Sequence, residues 1–497
     1  MSTRVRLVVG GFAALLILGS LGWMWKQSLL PDAYSATAMG YPDYGVDPQG
    51  RPLPPSSDHY VHGHHGQHGQ QGQTVSVDDL VEHTDRTADV RVDLTAQANV
   101  LTMAGHEIDG YTINGESPGE TIVASQGQLV EVRLHNQNVA EGVALHWHGI
   151  DVPNAEDGVA GVTQDAVLPG KSHTYRFVAR KAGTFWYHSH QLSHQQVAGG
   201  LFGAVVILPK HGIDQKLDLT AVAHTYSGNR TLNGKAGDAR AEAKPGQKAR
   251  VRIVNTDNGT LTTWASVPYR VVAVDGYDIA KPTTVGKRRL DIPAGGRADL
   301  EVTVPRKDAA RVQVGAATAY VIGPRLAYPD APPQPGTALD LLSYGSGKAD
   351  IPKPNRSFTY SIGRRPGFLD GRPGFWWTIN GQLLPEVPMF MVRRGDVVKF
   401  HIDNHSGEAH PMHLHGHHAL VVARDGKPVT GGPLWVDSID VQDDQTIDLV
   451  FRADNPGIWM DHCHNLPHAA QGLVAHLMYE GVTTPYKLGG KAQNRPE

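Results

Sequence analysis

Four short stretches concentrate histidine: His146-Trp147-His148-Gly149, His188-Ser189-His190, His410-Pro411-Met412-His413-Leu414-His415-Gly416 and His462-Cys463-His464-Asn465-Leu466-Pro467-His468. In an extended chain, residues i and i+2 face the same side, roughly 6–7 Å apart along the strand. Each His-x-His pair can therefore aim two imidazoles into one cavity, a spacing suited to closely placed metal ions. A single pair is weak evidence, because histidines also satisfy buried hydrogen bonds. Four clusters, one of them holding the only cysteine of the 497 residues, are not explained that way.

The His462-Cys463-His464 triplet has its own logic. If it is extended, Cys463 points to one face while His462 and His464 point to the other. The thiolate then serves one metal and its neighbours serve another, with a short covalent path between the two. Two histidines with a thiolate and a weak or absent axial ligand form the donor set of a blue-copper electron-transfer centre. His410 and His468 are the available partners for Cys463. A catalytic cysteine nucleophile needs an orienting base rather than four histidine clusters, and structural zinc usually recruits several cysteines. Copper is the better reading.

The elements that must position these residues are strands. Leu129-Val130-Glu131-Val132-Arg133-Leu134 and Val397-Val398-Lys399-Phe400-His401-Ile402 alternate apolar with polar residues, the period-two mark of half-buried strands. Each follows a Gly-containing turn and ends in Asn-containing sequence. A weaker third copy runs from Lys244 to Asn255. Three copies imply three similar all-β sandwich domains, at 85–210, 211–350 and 351–497. The stretch Tyr328 to Asn355, with six prolines, reads as the linker between the second and third.

Composition agrees. Gly (56) and Pro (33) approach a fifth of the chain, above the usual eighth, which favours many turns and short strands. Forty-five basic residues against 49 acidic ones give a net charge of −4, which offers no support for a nucleic-acid partner. A single cysteine rules out an internal disulfide and with it a disulfide-stapled scaffold.

The N-terminus is a membrane signal. After Arg4 and Arg6, nineteen residues from Leu7 to Trp25 carry no charge, close to the length that spans a bilayer core. The flanking charges favour an N-in, C-out orientation. Ala36-Thr37-Ala38 offers a cleavage site, but it lies far beyond Trp25, so an anchor in residues 1–30 is preferred to a cleaved signal. Either way the body is expected to be exported and extracytoplasmic. From Pro31 to about Thr74, within a His/Gly/Pro-rich linker at 31–84, the chain reads as a flexible stalk. The tract His59 to His68 in it can collect metal ions or serve as a plain polar spacer.

With these motifs in hand, the sequence resembles a three-domain, laccase-like multicopper oxidase. It carries that family's four copper motifs in order, over about residues 85 to 482. The resemblance implies three cupredoxin-like Greek-key sandwiches with four copper ions. Carried onto this chain, a blue mononuclear copper uses His410, Cys463 and His468. A trinuclear cluster takes His146 and His413 for its mononuclear ion, and His148, His188, His190, His415, His462 and His464 for its copper pair. The chemistry implied is four one-electron oxidations of a small reductant, passed along the cysteine–histidine path, with dioxygen reduced to two waters.

Two departures from the family pattern matter. Leu473 stands where relatives often have an axial methionine, and loss of that donor should raise the potential of the blue copper. Ala469, Ala470 and Gln471 follow the last histidine, where many relatives carry an acid that helps move protons. Asp157, in Glu156-Asp157-Gly158, resembles the family's other acid near the cluster's water channel, the alternative being a turn residue before glycine. His417 and His418 read as exposed loop histidines, the alternative being contact with substrate; His173, His194 and His476 are not implicated, and Met412 and Met478 read as core. A phenol-type reductant is preferred; a metallo-oxidase of Cu(I), Mn(II) or Fe(II) is the alternative, and a copper-free envelope protein is disfavoured by the complete ligand set. A monomer is the default.

Overall fold

The computed structural model describes residues 3–55, 74–103, 105–213, 217–350 and 353–497. The body is built from three pairs of β-sheets. The first pair sets the four-stranded sheet Gly119–Ser125, Phe202–Leu208, Gly183–Ser189, Leu145–His148 against the sheet His106–Ile113, Val90–Met103, Leu129–Asn136, Ser172–Val178. Between them lies a core around Trp147, Tyr175, Phe177 and Tyr187. A six-stranded and a five-stranded sheet form the second sandwich, and a six-stranded and a seven-stranded sheet the third.

The alternating segments form the strands expected of them. Leu129–Asn136 and Val397–Asn404 bury every second residue, and Lys248–Asn255 occupies the corresponding place in the second sandwich. Each pairs in parallel with a strand from the start of its sandwich, Val90–Met103, Arg356–Leu369 or Leu217–Tyr226. That repeated crossover is why the three copies of one sequence pattern produce three sandwiches.

The stalk reading needs correction. Residues 31–55 are docked on the third sandwich rather than free. Tyr41–Asp43 adds a parallel strand beside Pro388–Val392, Ala33–Tyr34 pairs with Leu488–Gly489, and Val46 exchanges backbone hydrogen bonds with Ser357. An unpaired sheet edge accepts such a strand through backbone groups alone. These pairings are two or three residues long and need no apolar periodicity, so the sequence pattern gave no sign of them. Ala36 of the Ala36–Ala38 turn is itself buried. The His59–His68 tract lies outside the described residues.

Ahead of this docked segment, the helix Thr3–Gln27 contains a 19-residue apolar stretch, Val9–Gln27, none of it buried against the protein. It is long and apolar enough to cross a membrane.

Candidate metal centres

The ladders themselves pair the histidines. Leu145–His148 runs antiparallel to Gly183–Ser189, which puts His146 opposite His188. Trp147, between the two histidines of its strand, points the other way into the core of the first sandwich. In the third sandwich His410–Leu414 runs antiparallel to Ile458–Cys463, with His413 opposite His462 and Met412 opposite Cys463. Alternation therefore sends Met412 and Cys463 into the third core, and His413 and His462 out toward the first sandwich.

Across that junction eight histidines converge from both sandwiches. His148, His188 and His464 bring nitrogens within 4.8 Å of one another, and so do His190, His415 and His462. Nε2 of His146 lies 3.4 Å from Nε2 of His413. All eight are buried. On the far side of Cys463, Nδ1 of His410 is 3.6 Å and Nδ1 of His468 3.9 Å from Sγ, while the two nitrogens are 3.2 Å apart. The one-turn helix Leu466–Ala470, started by Pro467 in its first turn, carries His468 to this point.

The donor chemistry fits metal ions. Nδ1 of His148, Nε2 of His188 and both ring nitrogens of His190 and His464 are buried without a hydrogen-bond partner, an unusual cost for polar atoms unless a ligand completes them. Burial pushes the pKa of His148, His188, His190, His415, His462 and His464 well below the ordinary value. These rings are therefore neutral at pH 7, the form that ligates metal. His410 is driven down to about 3 by burial and by His468. Burial also pushes the Cys463 thiol well up, so a bound metal must displace its proton.

The two regions of the chain that carry these groups match the family description "Multicopper oxidase", at residues 95–212 and 352–481. The chain belongs to the multicopper oxidases. It is 27% identical over 479 residues to multicopper oxidase MmcO of Mycobacterium tuberculosis, covering 80% of this chain and 88% of that one. It is 28% identical over 467 residues to Laccase-1 of Melanocarpus albomyces, covering 73% of each. The solved multi-copper oxidase of Pseudomonas thermotolerans superposes with a TM-score of 0.66 at 25% identity, over 79% of this chain and all of that one. The oxidase is thus a copper-dependent oxidoreductase built on cupredoxin-like sandwiches.

Outside the histidine groups, the structure places carboxylates against the rings. Asp157 is fully buried, with its carboxylate 3.1 Å from Nδ1 of both His146 and His415; it is more than a turn residue. Asp437 accepts from Nε2 of His148 at 3.1 Å through Oδ1, and its backbone carbonyl accepts from Nδ1 of His413 at 2.9 Å. Glu497 lies 3.3 Å from Nδ1 of His462 and accepts from Oγ of Ser193 at 2.6 Å. Its carboxyl is pushed up to about 8 by burial. Asp437 and Glu497 escaped the sequence reading because neither stands at a fixed offset from a histidine motif.

The second sandwich supplies no histidine to either group, yet it packs on the cluster. A Cβ on Gly295 would come within 2.8 Å of the rings of His148 and His464, so only glycine fits there. The expectation for His417 and His418 also needs correction: both are buried. His417 bonds the Tyr479 hydroxyl at 2.7 Å, and His418 sits between Asp151 and Asp437. They continue the strand-end turn inward rather than forming an exposed loop.

Around the Cys463 group, Trp377 packs edge-on to His410 and tilted against His468, with ring centroids 4.7 and 4.5 Å apart. Leu473 is fully buried; its carbonyl accepts from the Cys463 amide at 3.1 Å, and its amide donates to the His468 carbonyl at the same distance. Ala469 is buried in the same turn and offers no side-chain proton donor or acceptor.

Proposed function

We propose that the oxidase takes electrons singly from a phenol or similar small organic reductant and couples this to four-electron reduction of dioxygen to water. His410, Cys463 and His468 hold one copper, His146 and His413 a second, and the triads His148–His188–His464 and His190–His415–His462 one each, four in all. Bound copper supplies the one-electron acceptor at the cysteine group and the multi-electron donor to dioxygen at the histidine cluster. What carries this reading is Cys463, whose thiol belongs to one group while its chain neighbours His462 and His464 belong to the two triads of the other.

The chain's own residues divide the work. His468 is the partly exposed edge at which a reductant is met, its side chain 12% accessible with Glu408 3.6 Å from Nε2. The Glu408 carboxylate accepts a hydrogen bond from a phenolic hydroxyl. The backbone from Cys463 to either neighbour is the shortest route for an electron inward. Asp157 and Asp437 fix ring orientation at the cluster, and burial excludes bulk water from it. Leu473, which has no donor atom, leaves the Cys463 group without a fourth protein ligand on that side.

The helix Thr3–Gln27 serves as an uncleaved anchor that holds a monomeric body on the extracytoplasmic face. The anchor is supported by the apolar, unburied span and by the docking of residues 31–55 directly behind it. The decisive experiment is an absorption spectrum of copper-loaded protein beside a Cys463→Ser variant, followed by oxygen uptake. An intense red-end band lost in the variant, with uptake driven by 2,6-dimethoxyphenol, supports the reading. Uptake driven only by Fe(II), Mn(II) or Cu(I) would transfer the activity to metal ions, with Glu408 as their carboxylate ligand.

A further inference from the structure

The strands Arg356–Leu369 and Arg372–Ile379 form a hairpin closed by the two-residue turn Asp370–Gly371, both at positive φ. Its inner half belongs to the third sandwich, where Ile362 and Ile379 enter the core. Its outer half is mostly exposed, although Leu369 near the turn is buried. Opposed residues share a face, so Arg364 with Trp377, Pro366 with Phe375 and Phe368 with Pro373 line one side in that order. Phe375 is 59% exposed, and Pro366 and Pro373 are exposed beside it. This is a contiguous apolar strip, with the Arg364 guanidinium 4.5 Å from the Trp377 ring centroid and 6.0 Å from that of Phe375 at its inner end.

Both ends of the strip meet something functional. At the turn, the amide of Gly371 donates to Oγ of Ser28 at 3.1 Å and the amide of Leu30 to Oδ1 of Asp370 at 3.3 Å. A Cβ on Gly371 would collide with Leu29 and Trp25, so the end of the apolar helix is seated on the turn. At the other end, Trp377 contacts His410 and His468. Arg364 reaches Glu408 at 3.4 Å, and Glu408 faces His468. From the Arg364–Trp377 pair to the Phe368–Pro373 pair is four residues of strand, about 14 Å.

We propose that the reductant is a membrane-resident hydroquinone, its head hydrogen-bonded to Glu408 at the His468 edge and its apolar tail lying along Pro366, Phe375, Phe368 and Pro373 toward the bilayer. A polar end beside the electron-entry edge and an apolar track leading to the anchor match an amphiphile of this shape, whereas a freely soluble phenol uses the polar end alone. The inference rests on His410, Cys463 and His468 being the electron-entry group. In each hydroquinone two O–H bonds break; its two electrons leave singly through the His468 edge and its two protons go to solvent. Two hydroquinones become two quinones while one dioxygen takes up four electrons and four protons to give two waters.

The test uses full-length, copper-loaded protein in phosphatidylcholine–phosphatidylglycerol vesicles. Oxygen uptake is compared for a decyl-tailed hydroquinone and the same headgroup without a tail. The native protein should favour the tailed compound at least ten-fold in kcat/KM, and Phe375→Ser should cut that preference several-fold. Independently of turnover, a decyl azido-quinone photolysed against the same vesicles should label a peptide within residues 364–377. Equal kcat/KM for the two hydroquinones, or label elsewhere on the chain, overturns the proposal. Failure to oxidise either hydroquinone while Fe(II) or Cu(I) is oxidised overturns the phenol-type reading beneath it.

Discussion

Arg297 of the second sandwich holds Asp437 of the third through two guanidinium nitrogens, Nη1 to Oδ1 at 2.7 Å and Nη2 to Oδ2 at 2.5 Å, with both side chains fully buried. The same Oδ1 accepts from His148 of the first sandwich. Asp275 closes the network: its Oδ1 lies 3.4 Å from Arg297, and its Oδ2 accepts from the amides of Asp437 and Ser438. One carboxylate thus ties together three sandwiches, and the second, which carries no histidine of either group, sets the position of a cluster histidine.

Removing Arg297 tests this tie. Arg297→Met takes the guanidinium from a buried Asp437 carboxylate and leaves it only its histidine and amide partners, a change that costs about 3–5 kcal/mol. Arg297→Lys keeps the charge but loses the two-pronged geometry, so it should recover only part of the loss. Denaturation should show this order. Copper analysis should show metal missing from the histidine cluster while the red-end band of the Cys463 group persists. Native stability and full copper content in Arg297→Met would remove the second sandwich from any positioning role.

His418 gives the junction a pH dependence. Burial alone would lower its pKa, but Asp151 and Asp437, 3.2 and 3.1 Å away, outweigh burial and push it up to about 9. The folded protein then holds the proton more tightly than the unfolded chain, so the stabilisation is complete below about 6.5. It is lost as pH rises through 9, a change of about 3 kcal/mol. Lys181 and Asp275 lie in the same network. The thermal midpoint should fall between pH 6.5 and 9, and His418→Gln should flatten that part of the profile. An unaltered slope in the variant would assign the dependence to another group.

The convergence of the histidines was legible because strand alternation converts His-x-His spacing into shared direction, and the strands were legible because their apolar residues alternate. His146 opposite His188 and His413 opposite His462 are consequences of ladder register, which no local spacing encodes. Asp437 and Arg297 act through contacts between sandwiches 140 residues apart in sequence, beyond the reach of any motif. The docked strand Tyr41–Asp43 was hidden for a different reason: backbone pairing on a sheet edge asks little of its side chains. His418 was misread because an inward turn and an exposed loop look alike in composition.

Glu497 reaches the cluster without belonging to a motif. Its carboxyl contacts Nδ1 of His462 and is held by Ser193, in a fully buried position. Groups that orient a metal-bound histidine are typically worth 10- to 100-fold in metal affinity or activity. Glu497→Ala should therefore release copper from the cluster at 10- to 100-fold lower chelator concentration than the native protein does. The Cys463 band should be retained, since Glu497 contacts neither His410 nor His468. Equal chelator resistance in the two proteins would make Glu497 a bystander.

Leu473 sets the last expectation. It backs the Cys463 group from a fully buried position, fixed by its own amide and carbonyl to His468 and Cys463. A branched hydrocarbon there cannot donate electron density, so the oxidised state of a copper in this group is stabilised less than it would be by a thioether. Leu473→Met is nearly volume-conserving, so the fold should tolerate it. Redox titration should find the variant's potential below the native value, on the scale of about 59 mV for each tenfold change in a one-electron equilibrium. The oxidation rate of a phenol with a potential close to the native site should fall with it. A native potential equal to or below that of Leu473→Met would mean that another ligand, or the hydrogen bonds around Cys463, sets the potential instead.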